Sequence, residues 1–130
     1  MQKRWYNPII SWFEKYWFVS LLIAIFFAGL IYYISDTPSS GFPSGLGIKT
    51  KIYHLGVYFL LAFFISLAII RGKINNKYLI IIALLVSVAY GISDEIHQFF
   101  VPGRNSTFRD VFINTTGVLM AIVFYYAVRE

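Results

Sequence analysis

YLIIIALLVSVAYGISDEIHQFFV, residues 78–101, decides the fold. It is apolar to about Ile92, then meets Ser93, Asp94, Glu95, His97 and Gln98 before closing on Phe99, Phe100 and Val101. A helix needs about 20 mostly apolar residues to cross about 30 Å of hydrocarbon. This segment supplies them, with its charged residues gathered at one end.

Working outward, three more runs have the same character. Residues 17–34 are interrupted only by Ser20 and Gly29, residues 52–70 contain His54, and residues 111–128 carry Asn114, Thr115 and Thr116 near their start. Hydrophobicity is nearly all-round in each, which favours spanning a bilayer over lying on it. Pro8, Pro38, Pro43 and Pro102 all fall outside the runs, where they cannot break a span. The expected fold is therefore an all-α bundle of four transmembrane helices in a single domain, residues 1–130, with spans at about 16–34, 52–70, 78–98 and 108–128. Before the first span, Trp5, Ile9, Trp12, Phe13 and Tyr16 recur at helical spacing and predict a short interfacial helix over about 5–15. Lys3 and Arg4 ahead of an apolar run resemble a signal peptide. The run is too long and has no small-residue cleavage site after it, so the first span is read as retained.

Composition agrees. Of 130 residues 58% are hydrophobic and only 13% charged, too apolar for a soluble surface. The 20% aromatic content suits a short bundle with much of its length near headgroups. Without cysteine, disulfides, thiolate catalysis and Cys-based zinc sites are excluded. The net charge of +5 comes from basic residues scattered at the ends of apolar runs, not from a stripe beside stacking aromatics, so no nucleic acid partner is expected. Counting Lys and Arg places Lys3, Arg4, Lys15, Arg71, Lys73, Lys77 and Arg129 on one side, and Lys49, Lys51, Arg104 and Arg109 on the other. Seven against four predicts that both termini are cytoplasmic. The loop over 35–51, rich in Pro, Gly and Ser, reads as irregular.

Alternating helices bring the start of span two, the end of span three and the start of span four to one side, the outer one by this count. Ser87, Gly91, Asp94 and Gln98 share a face in span three, where Ala83, Ser87 and Gly91 form a small-xxx-small ridge that admits a neighbouring helix. Asp110, Asn114, Gly117 and Ala121 repeat the arrangement in span four, and Lys51, His54, Tyr58 and Ala62 in span two. Three small-and-polar faces thus become charged at the same end. Ionisable residues in a membrane segment usually mark a pathway or site. The candidate catalytic residues are Asp94, Glu95, His97, His54 and Asp110, with Asp110 orienting a histidine. For binding, Lys51, Arg104 and Arg109 can hold phosphate, Arg bidentately. Tyr58, Gln98 and Asn114 complete that set.

Each residue also has a structural reading. Thr107 and Asp110 fit a capping box, Asn114 fits interhelical glue, and His54 fits a core histidine. Arg104 and Arg109 fit interfacial anchors or partners of Asp94 and Glu95. A metal set of Asp94, His97, His54 and Asp110 has suitable N/O donors but no recognised spacing, so no metal is assigned. The sequons at Asn105 and Asn114 are discounted, the second because it lies in a span.

Two segments carry a resemblance. Lys51-Ile-Tyr-His54-Leu-Gly-Val-Tyr58 is similar to a Lys-x-x-His-x-x-x-Tyr segment of the VanZ family of small bacterial membrane proteins, named after a teicoplanin-resistance protein. The run from Tyr90 to Gly117 resembles that family's Asp-Glu-x-x-Gln, Pro-Gly-Arg, Ser, Asp, Asn, Gly pattern. It does so through Asp94, Glu95, Gln98, Pro102, Gly103, Arg104, Ser106, Asp110, Asn114 and Gly117. The likeness covers about residues 16–128. One departure is Thr50, where family members often carry an acid before the lysine. The resemblance implies a bacterial plasma-membrane protein linked to glycopeptide tolerance, and specifies neither a cofactor nor a reaction. Its expected partners are the bilayer and a lipid-linked cell-wall precursor, a phospholipid or a glycopeptide. Enzyme and non-enzymatic binder both remain open, whereas a transporter is disfavoured because four spans show no broken-helix pair.

Overall fold

Residues 7–38, 48–104 and 106–130 are described by the structure, a computed structural model. Lys3, Arg4, Trp5, Asn105 and residues 39–47 of the irregular loop lie outside them. Every regular element among the described residues is helical: α1 (Pro8–Lys15), α2 (Trp17–Asp36), α3 (Ile48–Ile70), α4 (Lys77–Phe100) and α5 (Phe108–Arg129). The last four are long and apolar enough to cross a membrane.

Local chemistry sets the boundaries. The Asn7 side chain accepts the Ile9 and Ile10 N–H groups, and Pro8 occupies the first turn, where its missing donor costs nothing. At Tyr16 the backbone leaves helical geometry (φ −98°, ψ 54°), and α2 starts one residue later. The Ser20 hydroxyl reaches back across this break to the Phe13 carbonyl at 2.8 Å. The aromatic stripe of α1 divides on folding. Ile9 and Trp12 face outward, Phe13 packs on Phe64, and the buried positions are Ile10 and, unexpectedly, Glu14. Between α3 and α4 the chain reverses through Arg71 (φ 49°) and Gly72 (φ 75°), and the Asn76 side chain caps α4.

α3 is the central helix and packs against each of the other four, while α4 also meets α2 and α5. Half of the apolar stretch of α3 is buried in protein, against 22–28% for the other three long helices. Those three turn Leu22, Ile25, Phe26, Leu85, Leu119 and Val123 outward. Such a continuous apolar surface is tenable against lipid chains, not water. Inside, Ala62, Ala83 and Ala121 are fully buried, so the helices approach closely. The tightest contact is α5 on α3, where a Cβ on Gly117 would stand 2.6 Å from the Leu55 carbonyl oxygen. Gly91 lies against the Tyr58 ring, with its notional Cβ 3.3 Å away. These contacts pack α5 and α4 against the face of α3 that carries His54 and Tyr58.

Candidate functional site

The expected convergence of helix ends is realised. Ser87, Gly91, Asp94 and Gln98 of α4, Asn114, Gly117 and Ala121 of α5, and His54, Tyr58 and Ala62 of α3 are all buried. From α3, the Tyr58 hydroxyl donates to Asp94 Oδ2 at 2.8 Å. Gln98, one turn along α4, donates to the same oxygen at 3.1 Å and to Ser35 Oγ of α2 at 3.1 Å. Asp94 and Gln98 together therefore tie α4 to α3 and α2.

The neighbouring carboxylate anchors a second chain of bonds. Glu95 accepts from Asn114 Nδ2 at 2.9 Å and from Ser106 Oγ at 3.0 Å. The other end of the Asn114 amide, Oδ1, meets His54 Nδ1 at 3.0 Å. Asp94 and Glu95 are 5% and 3% exposed, and neither is in an ion pair among the described residues. Their hydrogen-bond partners among the described residues are neutral donors. Hydrogen bonds to a charged acceptor contribute about 1.5–3 kcal/mol each, yet removing two adjacent carboxylates from water costs several kcal/mol per ion. This end therefore holds two buried acids that packing alone would not select.

The Pro-Gly-Arg segment has a physical reason. Pro102 fixes φ, Gly103 takes φ 76°, and the Arg104 N–H closes the turn on the Val101 carbonyl at 3.2 Å. That turn aims the Arg104 guanidinium at the end of α2, where it donates to the Ile34 and Thr37 carbonyls. A cation there also complements the negative end of the helix dipole. Lys51 and Arg109 are exposed on the first turns of α3 and α5. Asp110 is engaged by its own helix start, accepting the Thr107 N–H and hydroxyl through Oδ2. The carboxylate beside a histidine is instead Asp36: its Oδ1 lies 3.1 Å from His97 Nε2, and Tyr32 stacks on the imidazole at 4.9 Å. Asp36 lies at the end of α2, on the same side by simple alternation, which is the signal that finds it.

No three His, Cys, Asp or Glu residues gather in a metal-holding group among the described residues. The four candidates for such a set are dispersed: His54 meets Asn114, His97 meets Asp36, Asp94 meets Tyr58 and Gln98, and Asp110 meets Thr107.

A second polar cluster, unforeseen from the sequence, closes the opposite end. Glu14 Oε2 of α1 and Arg129 Nη2 of α5 pair at 2.5 Å, with side chains 6% and 15% exposed. Glu14 also accepts the Tyr125 hydroxyl, whose oxygen receives the Gly72 N–H at 2.8 Å. Nearby, the Arg71 guanidinium covers the Trp17 ring at 4.3 Å. A lone carboxylate inside the aromatic stripe of α1 is the clue that points to this cluster.

Among curated proteins no relative matches this chain, and among solved structures none does. The family model for VanZ/LLP1 matches residues 10–129, nearly everything described above from Ile10 of α1 to Arg129 of α5, and the chain is a multi-pass membrane protein belonging to that family.

Proposed function

We propose that the Asp94 end binds, and on one reading modifies, the polar head of a lipid-linked envelope component, on the outer face of a bacterial plasma membrane with both termini cytoplasmic. The observation that carries this is the pairing of buried acids with exposed cations. Asp94 and Glu95 are held by neutral donors inside the bundle, while Lys51 and Arg109 stand exposed on the turns leading to His54 and Asn114. The cations attract a phosphate, Arg109 bidentately, and Arg104 adds to the field from the end of α2. The partly exposed His97–Asp36 pair is the accessible acid–base couple, with Asp36 orienting the imidazole. The family resemblance supports an envelope target linked to teicoplanin resistance.

Native mass spectrometry of protein released from nanodiscs containing phosphatidylglycerol, a polyprenyl phosphate and phosphatidylcholine tests this. The phosphate-bearing anionic lipids should be retained in preference to phosphatidylcholine, and Lys51→Ala with Arg109→Ala should abolish the preference. Equal retention of all three lipids by wild type would contradict the reading.

A non-enzymatic variant of the same reading is favoured by one feature: Asp94 Oδ2 and both oxygens of Glu95 already accept from internal donors. The site then shields or sequesters a lipoglycopeptide target without turnover. An enzyme leaves an altered lipid that accumulates with time, whereas a binder acts in proportion to its own amount.

A further inference from the structure

The turn between α3 and α4 lies at the Glu14 end and is held from behind. Gly72 (φ 75°) donates its N–H to the Tyr125 hydroxyl at 2.8 Å, and a Cβ there would stand 2.5 Å from Arg129 Nη2. Ile74 is buried, and the Asn76 side chain accepts the Tyr78 N–H as α4 begins. On its outward side the turn forms a cavity of about 550 Å³ lined by residues 72–78. Lys73 and Lys77 both stand on its wall, exposed and in no ion pair among the described residues. Arg71 is not on that wall. It lies exposed over the Trp17 ring, its Nε donating to the Ala68 carbonyl at 3.0 Å. A turn whose shape the fold already sets thus presents cations at two neighbouring places.

Their charge is not matched within the chain. Of its six acids, Asp36, Asp94, Glu95 and Asp110 belong to the opposite end, and Glu14 is paired with Arg129. Glu130 alone is left against the exposed Lys15, Arg71, Lys73 and Lys77. Because the turn joins two spans directly, it sits at headgroup level, where the exposed Trp17 and Tyr78 also favour it. Each Lys or Arg near an anionic lipid surface strengthens binding about fivefold. A single phosphate in the cavity leaves Arg71 unused, whereas a head with two linked phosphates engages both places, the second at high effective concentration.

Independently of the reading of the Asp94 end, we infer that this turn is a docking surface for an anionic phospholipid whose head carries two phosphates, as cardiolipin does. One phosphate is taken in the cavity by Lys73 and Lys77, and the other by Arg71. The buried Glu14–Arg129 pair takes no part except to hold the turn in place.

Native mass spectrometry of the full chain, released from nanodiscs of cardiolipin, phosphatidylglycerol and phosphatidylcholine, reads this. It is run on the Lys51→Ala, Arg109→Ala protein, so that the cations of the Asp94 end contribute nothing. Cardiolipin should be retained over phosphatidylglycerol by about tenfold. Adding Lys73→Ala with Lys77→Ala should remove that preference at an unchanged melting temperature, since neither lysine is in an ion pair. Equal retention of the two anionic lipids before those changes would overturn the proposal, and so would a preference that survives them. Displacement of bound cardiolipin by millimolar inorganic diphosphate would assign the cavity to a soluble anion and sink the lipid assignment. The headgroup reading of the Asp94 end stands or falls on Lys51 and Arg109, so the two failures are told apart.

Discussion

The two ends of the bundle treat buried charge in opposite ways. At the Glu14 end a carboxylate meets a guanidinium directly, and Tyr125 and Gly72 extend the network to the α3–α4 turn. At the Asp94 end two carboxylates sit side by side on α4, and Tyr58, Gln98, Asn114 and Ser106 hold them without a counter-ion among the described residues. The first arrangement neutralises charge and joins the N-terminal helix to the C-terminal one. The second keeps two buried acids on neutral donors, with no ion pair to either among the described residues, and this contrast is what supports our reading of that end as a site. Burial alone does not separate them. The chemical identity of the partners does.

Substitutions should break this symmetry in a definite order. Glu14→Ala strands the Arg129 guanidinium in the interior, where Arg129 Nε already lacks a partner, and should destabilise by about 3–5 kcal/mol. Denaturant unfolding in mild detergent, followed by tryptophan fluorescence, reads it. A smaller effect is expected from Gly117→Ala. Its new methyl meets the Leu55 carbonyl, so α5 must move off α3, at about 1–3 kcal/mol for overpacking. Because the same contact sets the register of Asn114 against His54, this variant should also lose headgroup preference in the lipid-retention assay. Smaller again, Arg71→Ala removes the cation from the face of Trp17 and should cost about 0.5–1 kcal/mol, visible as a slight fall in melting temperature. Asp36→Asn, at the partly exposed His97 pair, should change stability by at most about 1 kcal/mol, while altering any pH-dependent activity that uses His97.

Much of the Asp94 end was legible in the sequence, because helical periodicity is local. The spacing of Ser87, Gly91, Asp94 and Gln98 is enough to place them on one face, and small residues at every turn predict the side on which a neighbour lies. Alternation of the spans then brings His54 and Asn114 to the same end. The ends of the helices were less legible. α3 begins at Ile48, ahead of the expected 52, because Lys49 and Lys51 on its first turn keep their ammonium groups outside while the backbone is already helical. Of the two roles the sequence offers Asp110, the capping box with Thr107 is the one formed, whereas Asp36 takes the place beside His97. Spacing within one helix cannot tell which of several carboxylates at a shared end reaches a given imidazole.

The Glu14 end was hidden for a related reason. Glu14 and Arg129 are 115 positions apart, and their contact follows from how α1 folds beneath the bundle after the break at Tyr16. A charge at the C-terminal end of a span reads equally well as a topology signal, which is all that the sequence indicates for Arg129. In the same way, Tyr53 resembles any interfacial tyrosine until its hydroxyl is seen to be buried without a partner.

The central claim is that one end holds the fold and the other holds a site. Comparing Glu14→Gln and Asp94→Asn with wild type, by melting temperature in the same nanodiscs, tests it most directly. Both substitutions remove one charge at nearly constant shape. Glu14→Gln should lower the melting temperature clearly, since it leaves Arg129 without its counter-ion. Asp94→Asn should leave it unchanged or raise it, since Tyr58 and Gln98 can still donate to the amide oxygen while a buried acid without an ion pair among the described residues is replaced by a neutral group. A drop for Asp94→Asn as large as that for Glu14→Gln would make the Asp94 end scaffold as well, and would contradict the account.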